Sequence, residues 1–306
     1  MADVSSEARA YGILTVDYED WFHIADPTLA REDAWAQLPL TVEADTLQLL
    51  DLLDEHRAKA TFFVVGWLAE RTPDTLREIT RRGHRLAIHG FHHVPPNFMS
   101  EAEFREDVRR CLRVIKQLTS EEAEGYRAPF FGVRGCSYSY IDVLRSCGLR
   151  YDASVFAGFL PGRGQPFATA VPQDIGHRGA PFWEVPISVV RLLGVPMAFS
   201  GGGFLRLLPA WFVQWCCDNA ARRSIPVVYY VHPRDLNPKG PTAPVDRCHR
   251  LRYYGRRESV ARKLEGILRR VRLVSVEEFV PGLLMHAQCE MSRTALTSLH
   301  GAGVAP

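Results

Sequence analysis

This chain has no large excess of either charge. Its 306 residues hold 37 Lys and Arg against 35 Asp and Glu, a formal net charge of +2. That balance gives no strong polyelectrolyte attraction, so no nucleic-acid partner is expected. Long hydrophobic runs are missing too. No stretch approaches the ~20 apolar residues that span a bilayer, so no stable membrane insertion is expected. The first ten residues, MADVSSEARA, lack the basic-then-apolar pattern of an export signal. Seven cysteines stand at 111, 136, 147, 216, 217, 248 and 289, and none forms a CxxC pair. An odd count at these spacings fits reduced, mostly buried thiols, not a disulfide framework or a cysteine zinc site. There is no GxSxG elbow, no HExxH and no dinucleotide fingerprint. The triplet Gly201-Gly202-Gly203 is followed by no GK[ST], so it reads as a tight turn and not a phosphate loop.

What is present is enough to fold. Hydrophobic residues make up 46% of the chain, which excludes disorder, and the length suits one large domain or two ordinary ones. Strand-like and helix-like segments alternate. Tyr11 to Val16 is β-prone, and Thr41 can cap a helix with a stripe of Leu47, Leu50 and Leu53. Ala60 to Val65 reads as a buried strand, and Pro73 opens a helix that Gly83 ends. Leu86 to Ile88 is a short strand, and Ser100 with Glu103 forms a capping box before a long helix. Further on, a helix is expected over 140–147 and extended segments near Tyr151 and Trp183. A second long helix starts at Pro209, Pro226 to Val231 is a buried strand, and a basic helix over 259–271 precedes a last strand, Leu273 to Val276. The Gly- and Pro-rich stretch from Gly158 to Pro181 reads as a long surface loop. Repeated β-then-α units argue for an α/β fold with mainly parallel strands, in which functional groups gather at strand C-terminal ends.

The chemically loaded residues all follow such strands. The first group is Asp17-Tyr18-Glu19-Asp20-Trp21. In extended backbone Asp17 and Glu19 share a face, and a metal ion or a shared proton relieves their repulsion. An exposed acidic turn is the alternative. The second is His89-Gly90-Phe91-His92-His93, in which His89 and His93 can converge on one ion; packed core histidines are the alternative. A carboxylate and two imidazoles leave room for water on a catalytic metal, and a spare carboxylate can take a proton from that water. The third is Arg127-Ala128-Pro129-Phe130, whose guanidinium fork can hold a carboxylate. The fourth is His232-Pro233, which sets a proton donor at the mouth of the fold. Trp21, Phe22 and Trp183 suit either sugar stacking or core packing.

With these motifs in place, the chain resembles the polysaccharide deacetylases of carbohydrate esterase family four, the NodB-homology proteins. The four family motifs read here as TVDYED, HGFHH, RAPF and VYYVH, in family order, over roughly 11–280. A closer likeness is to the subgroup found with bacterial exopolysaccharide and exosortase (PEP-CTERM) gene clusters. It rests on Leu192-Leu193-Gly194, the stretch Gly201 to Pro209 and His232-Pro233 through Pro238.

The resemblance implies an α/β fold, a distorted (β/α) barrel of about seven units. One domain would cover 11–280, with a family-specific extension from about 150, a flexible tail over 1–10 and a loose tail over 281–306. It implies Asp17 as general base, Arg127 as the residue orienting it, His232 as general acid, and His89 and His93 as metal ligands. The family has two adjacent aspartates where this chain has Asp17-Tyr18, so the metal carboxylate falls to Glu19, with Asp20 as the alternative. The metal implied is divalent, zinc first, with cobalt, nickel or iron as alternatives. The activity implied is hydrolysis of N-acetyl groups on amino sugars of an exopolysaccharide or its precursor, with an oxyanion donor near Phe130. Two other readings stay open: an amidohydrolase acting on a small cyclic amide or ureide, and a non-catalytic carbohydrate-binding protein. The expected partner is an N-acetylated saccharide, self-association stays open, and the expected place is the cytoplasm, near the inner face of the membrane.

Overall fold

The structure, a computed structural model, describes residues 10–24, 32–159, 164–176 and 181–280. Both expected tails lie outside the described residues, except that Ala10 already belongs to the first strand. The chain begins with β1 (Ala10–Tyr18), a short α1 (Glu32–Trp35) and α2 (Val42–Glu55). It continues through β2 (Thr61–Val64), α3 (Gly66–Ala69), α4 (Pro73–Arg81), β3 (Arg85–Ile88) and α5 (Glu101–Thr119). Then come β4 (Gly125–Tyr126), α6 (Tyr140–Ser146), β5 (Tyr151–Asp152), β6 (Gln173–Asp174) and β7 (Trp183–Glu184). A hairpin of β8 (Val189–Leu192) and β9 (Val195–Ala198) precedes α7 (Gly202–Leu207) and α8 (Ala210–Arg222). The described chain closes with β10 (Val227–Val231), α9 (Arg247–Tyr254), α10 (Val260–Leu268) and β11 (Val271–Val274).

The main sheet runs β10-β1-β2-β3-β4-β5-β7-β6, with β11 also on β1. Every pairing is parallel except β6 on β7. Side-chain alternation divides the core. Ile13, Phe63, Ala87, Tyr151, Trp183 and Val228 form one cluster although they come from strands along the whole sheet. Only a curled sheet brings them together, which is the half-barrel form of a distorted (β/α) barrel. The outward residues Leu14, Val16, Phe62, Val64, Leu86 and Tyr229 pack under the helices. Each fully buried Leu or Phe there contributes about 1.5–3 kcal/mol.

Several local readings meet a different outcome. The helix α2 buries Val42, Thr46, Leu49, Leu50 and Leu53, whereas Leu47 is 40% exposed. The inward stripe thus takes Leu49 in place of Leu47 and keeps Leu50 and Leu53.

 Thr41 gives α2 no side-chain cap. Asp20 does so instead, because its Oδ2 accepts from the Thr41 and Val42 amides at 2.9 and 3.1 Å. The glycine triplet is no simple turn: Gly202 and Gly203 open α7. A Cβ at Gly201 would stand 2.1 Å from the Tyr230 ring, and one at Gly202 2.4 Å from its hydroxyl, so glycine lets α7 approach β10. The 158–181 stretch contains β6, and the β8–β9 hairpin was not expected at all. The capping box of Ser100 and Glu103 on α5 is formed as read. Among the described residues, no helix is long and apolar enough to cross a membrane.

Candidate active site

The alternation that builds the barrel also loads its mouth. Ile13 and Thr15 point inward, so Asp17 does too, and Glu19 follows it past the strand end. Ala87 points inward on β3, and two residues later comes His89. Tyr230 points inward on β10, and two residues later comes His232. Tyr126 on β4 faces outward, which turns Arg127 in. Asp17, Glu19, His89 and His232 line one cavity of about 300 Å³.

Glu19, His89 and His93 are all buried, and one ligand atom from each lies within 4.8 Å of the others. Nδ1 of His89 is 2.8 Å from the Arg127 carbonyl, which leaves Nε2 with its lone pair toward the cluster. Nε2 of His93 stands 2.8 Å from Oε2 of Glu19 yet makes no hydrogen bond among the described residues. Burial pushes His89 down to about 4, so the ring is neutral and able to ligate at ordinary pH. Burial alone would raise the Glu19 carboxyl, but Arg234, His93 and His232 outweigh it and hold the group well below its usual range. A carboxylate and two imidazoles are the donor set of a divalent metal, and these residues fit one.

Asp20 lies outside that set. Its oxygens take the Trp21, Thr41 and Val42 amides and the Thr41 hydroxyl, so both are committed to the start of α2.

Arg127 is fully buried and donates from Nη1 to Oδ1 of Asp17 at 2.6 Å. Its guanidinium is fixed further by Thr15 Oγ1, the Ala153 carbonyl and the face of Phe63. Oδ2 of Asp17 lies 3.9 Å from Nε2 of His232. On the other side of that ring, Nδ1 meets Oδ2 of Asp235 at 3.0 Å. Burial works to raise Asp235, but Arg206, His232 and Arg234 hold it below the ordinary carboxylate value. Three buried ion pairs therefore frame the cavity: Arg127–Asp17, Arg234–Glu19 and Arg206–Asp235. Pairs this deep are costly to desolvate, and their use here is to fix orientation.

The aromatic expectations divide. Phe130 lines the cavity, with its ring 4.6 Å from that of His93. Trp21 and Trp183 do not line it; each is 6% exposed and packed in the core. The aromatic wall is instead Phe130, Phe131, Phe156, Phe204, Tyr230 and Tyr253.

Sequence reasoning also passed over Arg206, Arg234, Asp235 and His23. The His-Pro-Arg-Asp order at 232–235 holds a signal for two of them, since a short turn after a strand end folds its polar side chains back onto the same mouth. His23 lines the cavity as well, with Nδ1 accepting from the Asp20 amide at 3.1 Å. Its proton therefore sits on Nε2, which is buried without a hydrogen-bond partner among the described residues.

Residues 32–151 match the polysaccharide deacetylase family, and residues 153–281 match a domain of unknown function, DUF3473. A peptidoglycan-N-acetylglucosamine deacetylase of Bacillus cereus is 29% identical over 85 residues, 28% of this chain and 31% of that protein. A chitooligosaccharide deacetylase of Sinorhizobium fredii is 33% identical over 86 residues, 28% of this chain and 40% of that protein. The chain thus spans well under half the length of these curated relatives. The crystal structure of a polysaccharide deacetylase homologue from Mycobacterium smegmatis superposes with a TM-score of 0.61 at 18% identity, over 94% of this chain and 95% of that one. At that identity the likeness is one of fold, and the fold is the NodB-type barrel.

Proposed function

From the match of residues 32–151 to the polysaccharide deacetylase family, we propose that the chain hydrolyses N-acetyl groups on amino sugars with the help of a divalent metal. The observation that carries this reading is the convergence of Glu19, His89 and His93 beside the Arg127–Asp17 pair. Glu19, His89 and His93 would hold the ion. When bound, it supplies Lewis-acid polarisation of the acetyl carbonyl and a water of lowered pKa.

The protein groups divide the remaining work. Arg127 occupies Oδ1 of Asp17 and leaves Oδ2 as the base that takes a proton from the attacking water. As the C–N bond breaks, Nε2 of His232 gives its proton to the departing amine, so the products are a free amine and acetate. Asp235 holds Nδ1 of His232 and keeps Nε2 turned toward the cavity. The Nε2–H of His23 is a neutral donor on the same wall, suited to a substrate oxygen. Phe130 and Tyr253 offer ring faces to the sugar.

The likeness of Leu192-Leu193-Gly194 and the Gly201 to Pro209 stretch to the exopolysaccharide-associated subgroup supports a bacterial exopolysaccharide or its precursor as substrate, met in the cytoplasm near the membrane. Zinc is the metal best suited to two imidazoles and one carboxylate. A double variant, His89→Ala with His93→Ala, tests the reading. It is expected to lose bound metal and acetate release together, and full activity in that variant overturns the proposal.

A further inference from the structure

The cavity wall changes character on the side of α9, which contributes Arg252 and Tyr253. From Arg247 to Arg257 the chain carries five arginines and no carboxylate. Arg247, Arg250, Arg252 and Arg256 are exposed, and among the described residues none of the four has a carboxylate at ion-pair distance. Arg256 reaches the Leu207 carbonyl, and Arg252 stands over the Tyr253 ring at 5.6 Å. The deeper arginines differ, since Arg127, Arg206 and Arg234 each already hold a carboxylate.

This helix is not a loose basic tail. Nη2 of Arg206 donates to the Arg252 carbonyl at 2.7 Å, and the Tyr254 hydroxyl donates to the Trp21 carbonyl at 2.8 Å. Both anchors come from residues at or next to the site. The helix is therefore held at a set distance from Asp17 and Glu19, with Arg252 on the cavity wall.

Resting on the deacetylase reading, we infer that the site takes an N-acetylated saccharide whose neighbouring unit carries an anion, a carboxylate or a phosphate, and that Arg252 binds that anion. A guanidinium fork matches both groups in geometry. At the rim of a cavity its attraction is stronger than in open water. A neutral glycan gains nothing from these charges. The near-neutral charge of the whole chain hides this local run of arginines.

The test compares three substrates: a neutral N-acetylglucosamine tetramer, an alternating N-acetylglucosamine–glucuronate tetrasaccharide, and an N-acetylglucosamine disaccharide 1-phosphate. The last two separate carboxylate from phosphate. Acetate release gives kcat/KM for each, and equilibrium binding of the same compounds is followed separately from turnover. The wild-type protein is expected to favour at least one anionic substrate over the neutral one. Arg252→Glu is expected to cut that ratio about tenfold, the factor of 1.4 kcal/mol, and Arg252→Lys to keep part of it. High salt is expected to compress the ratio. Equal use and equal binding of neutral and anionic substrates overturns the inference, as does a preference that Arg252→Glu leaves in place. Should no compound release acetate while an Arg252-dependent preference persists in binding, the deacetylase reading fails and the anion site stands.

Discussion

Nη1 of Arg234 donates to Oε1 of Glu19 at 2.6 Å, while Oε2 of the same carboxylate faces His93 at 2.8 Å. Arg234 also reaches the Asp20 carbonyl at 3.3 Å, so it clamps the strand end as well as the side chain. One oxygen is thereby held and the other left for the metal. In the proposed site this clamp would let Glu19, two residues after Asp17, take the place of the adjacent aspartate of the deacetylases that the chain resembles.

Arg234→Ala is therefore expected to weaken zinc binding by about 10–100-fold, the usual cost of losing a partner behind a metal ligand. Arg234→Lys should fall between, since it keeps the charge and loses the fork. Competition against a chelating dye measures both. Tighter binding in Arg234→Ala would mean that the arginine competes with the metal and does not orient its ligand.

Asp235 should matter through His232. Asp235→Asn removes the ionised acceptor from Nδ1 and is expected to lower kcat by about 10²-fold or more, the scale of a general acid held out of place. Zinc content should stay at the wild-type level. A kcat within twofold of wild type would separate the pair from the chemistry.

Asp152 and Glu184 face each other across β5 and β7, both buried. Burial raises both carboxyls, and the charge of Asp152 raises Glu184 further. For groups with raised folded values, the stabilising contribution is complete below the unfolded carboxyl range and is lost as pH rises through the raised value. Glu184→Gln keeps the pair singly charged at most, and its amide can donate to Asp152. Above that titration the variant should be more stable than wild type by about 1 kcal/mol or more, since each tenfold change in proton affinity on folding is worth about 1.36 kcal/mol. Thermal unfolding from pH 4 to 9 checks this. Parallel curves for the two proteins would contradict it.

Trp21 is core, with its indole N–H bonded to the Pro39 carbonyl at 3.0 Å. Trp21→Ala should destabilise the fold by about 3–5 kcal/mol in denaturant unfolding. A variant of unchanged stability but raised KM would return Trp21 to the sugar-binding wall.

Much of the site was readable because a strand's period of two carries its face beyond its last residue. Asp17 with Glu19, the His89–His93 pair, Arg127 and His232 all follow from strand ends in that way. Asp20 did not, because its use depends on a helix start 21 residues later, a tertiary capture that no local pattern records. Arg206 and Arg234 look like ordinary surface cations in sequence, and only burial beside Asp235 and Glu19 distinguishes them. The glycine triplet misled for a physical reason: glycine is a poor helix former, yet the close approach to Tyr230 demands it. Leu47 and Leu49 are equally apolar, and packing against the sheet chose Leu49.

The central claim is metal-dependent deacetylation at the Glu19–His89–His93 cluster. The most direct measurement is acetate release from the neutral and anionic N-acetylglucosamine oligosaccharides by protein as purified, after exhaustive chelation, and after zinc is returned. The account predicts release that chelation abolishes and zinc restores, with no restoration in the His89→Ala, His93→Ala double variant. Release that persists through chelation, or that zinc restores in the double variant, would contradict it.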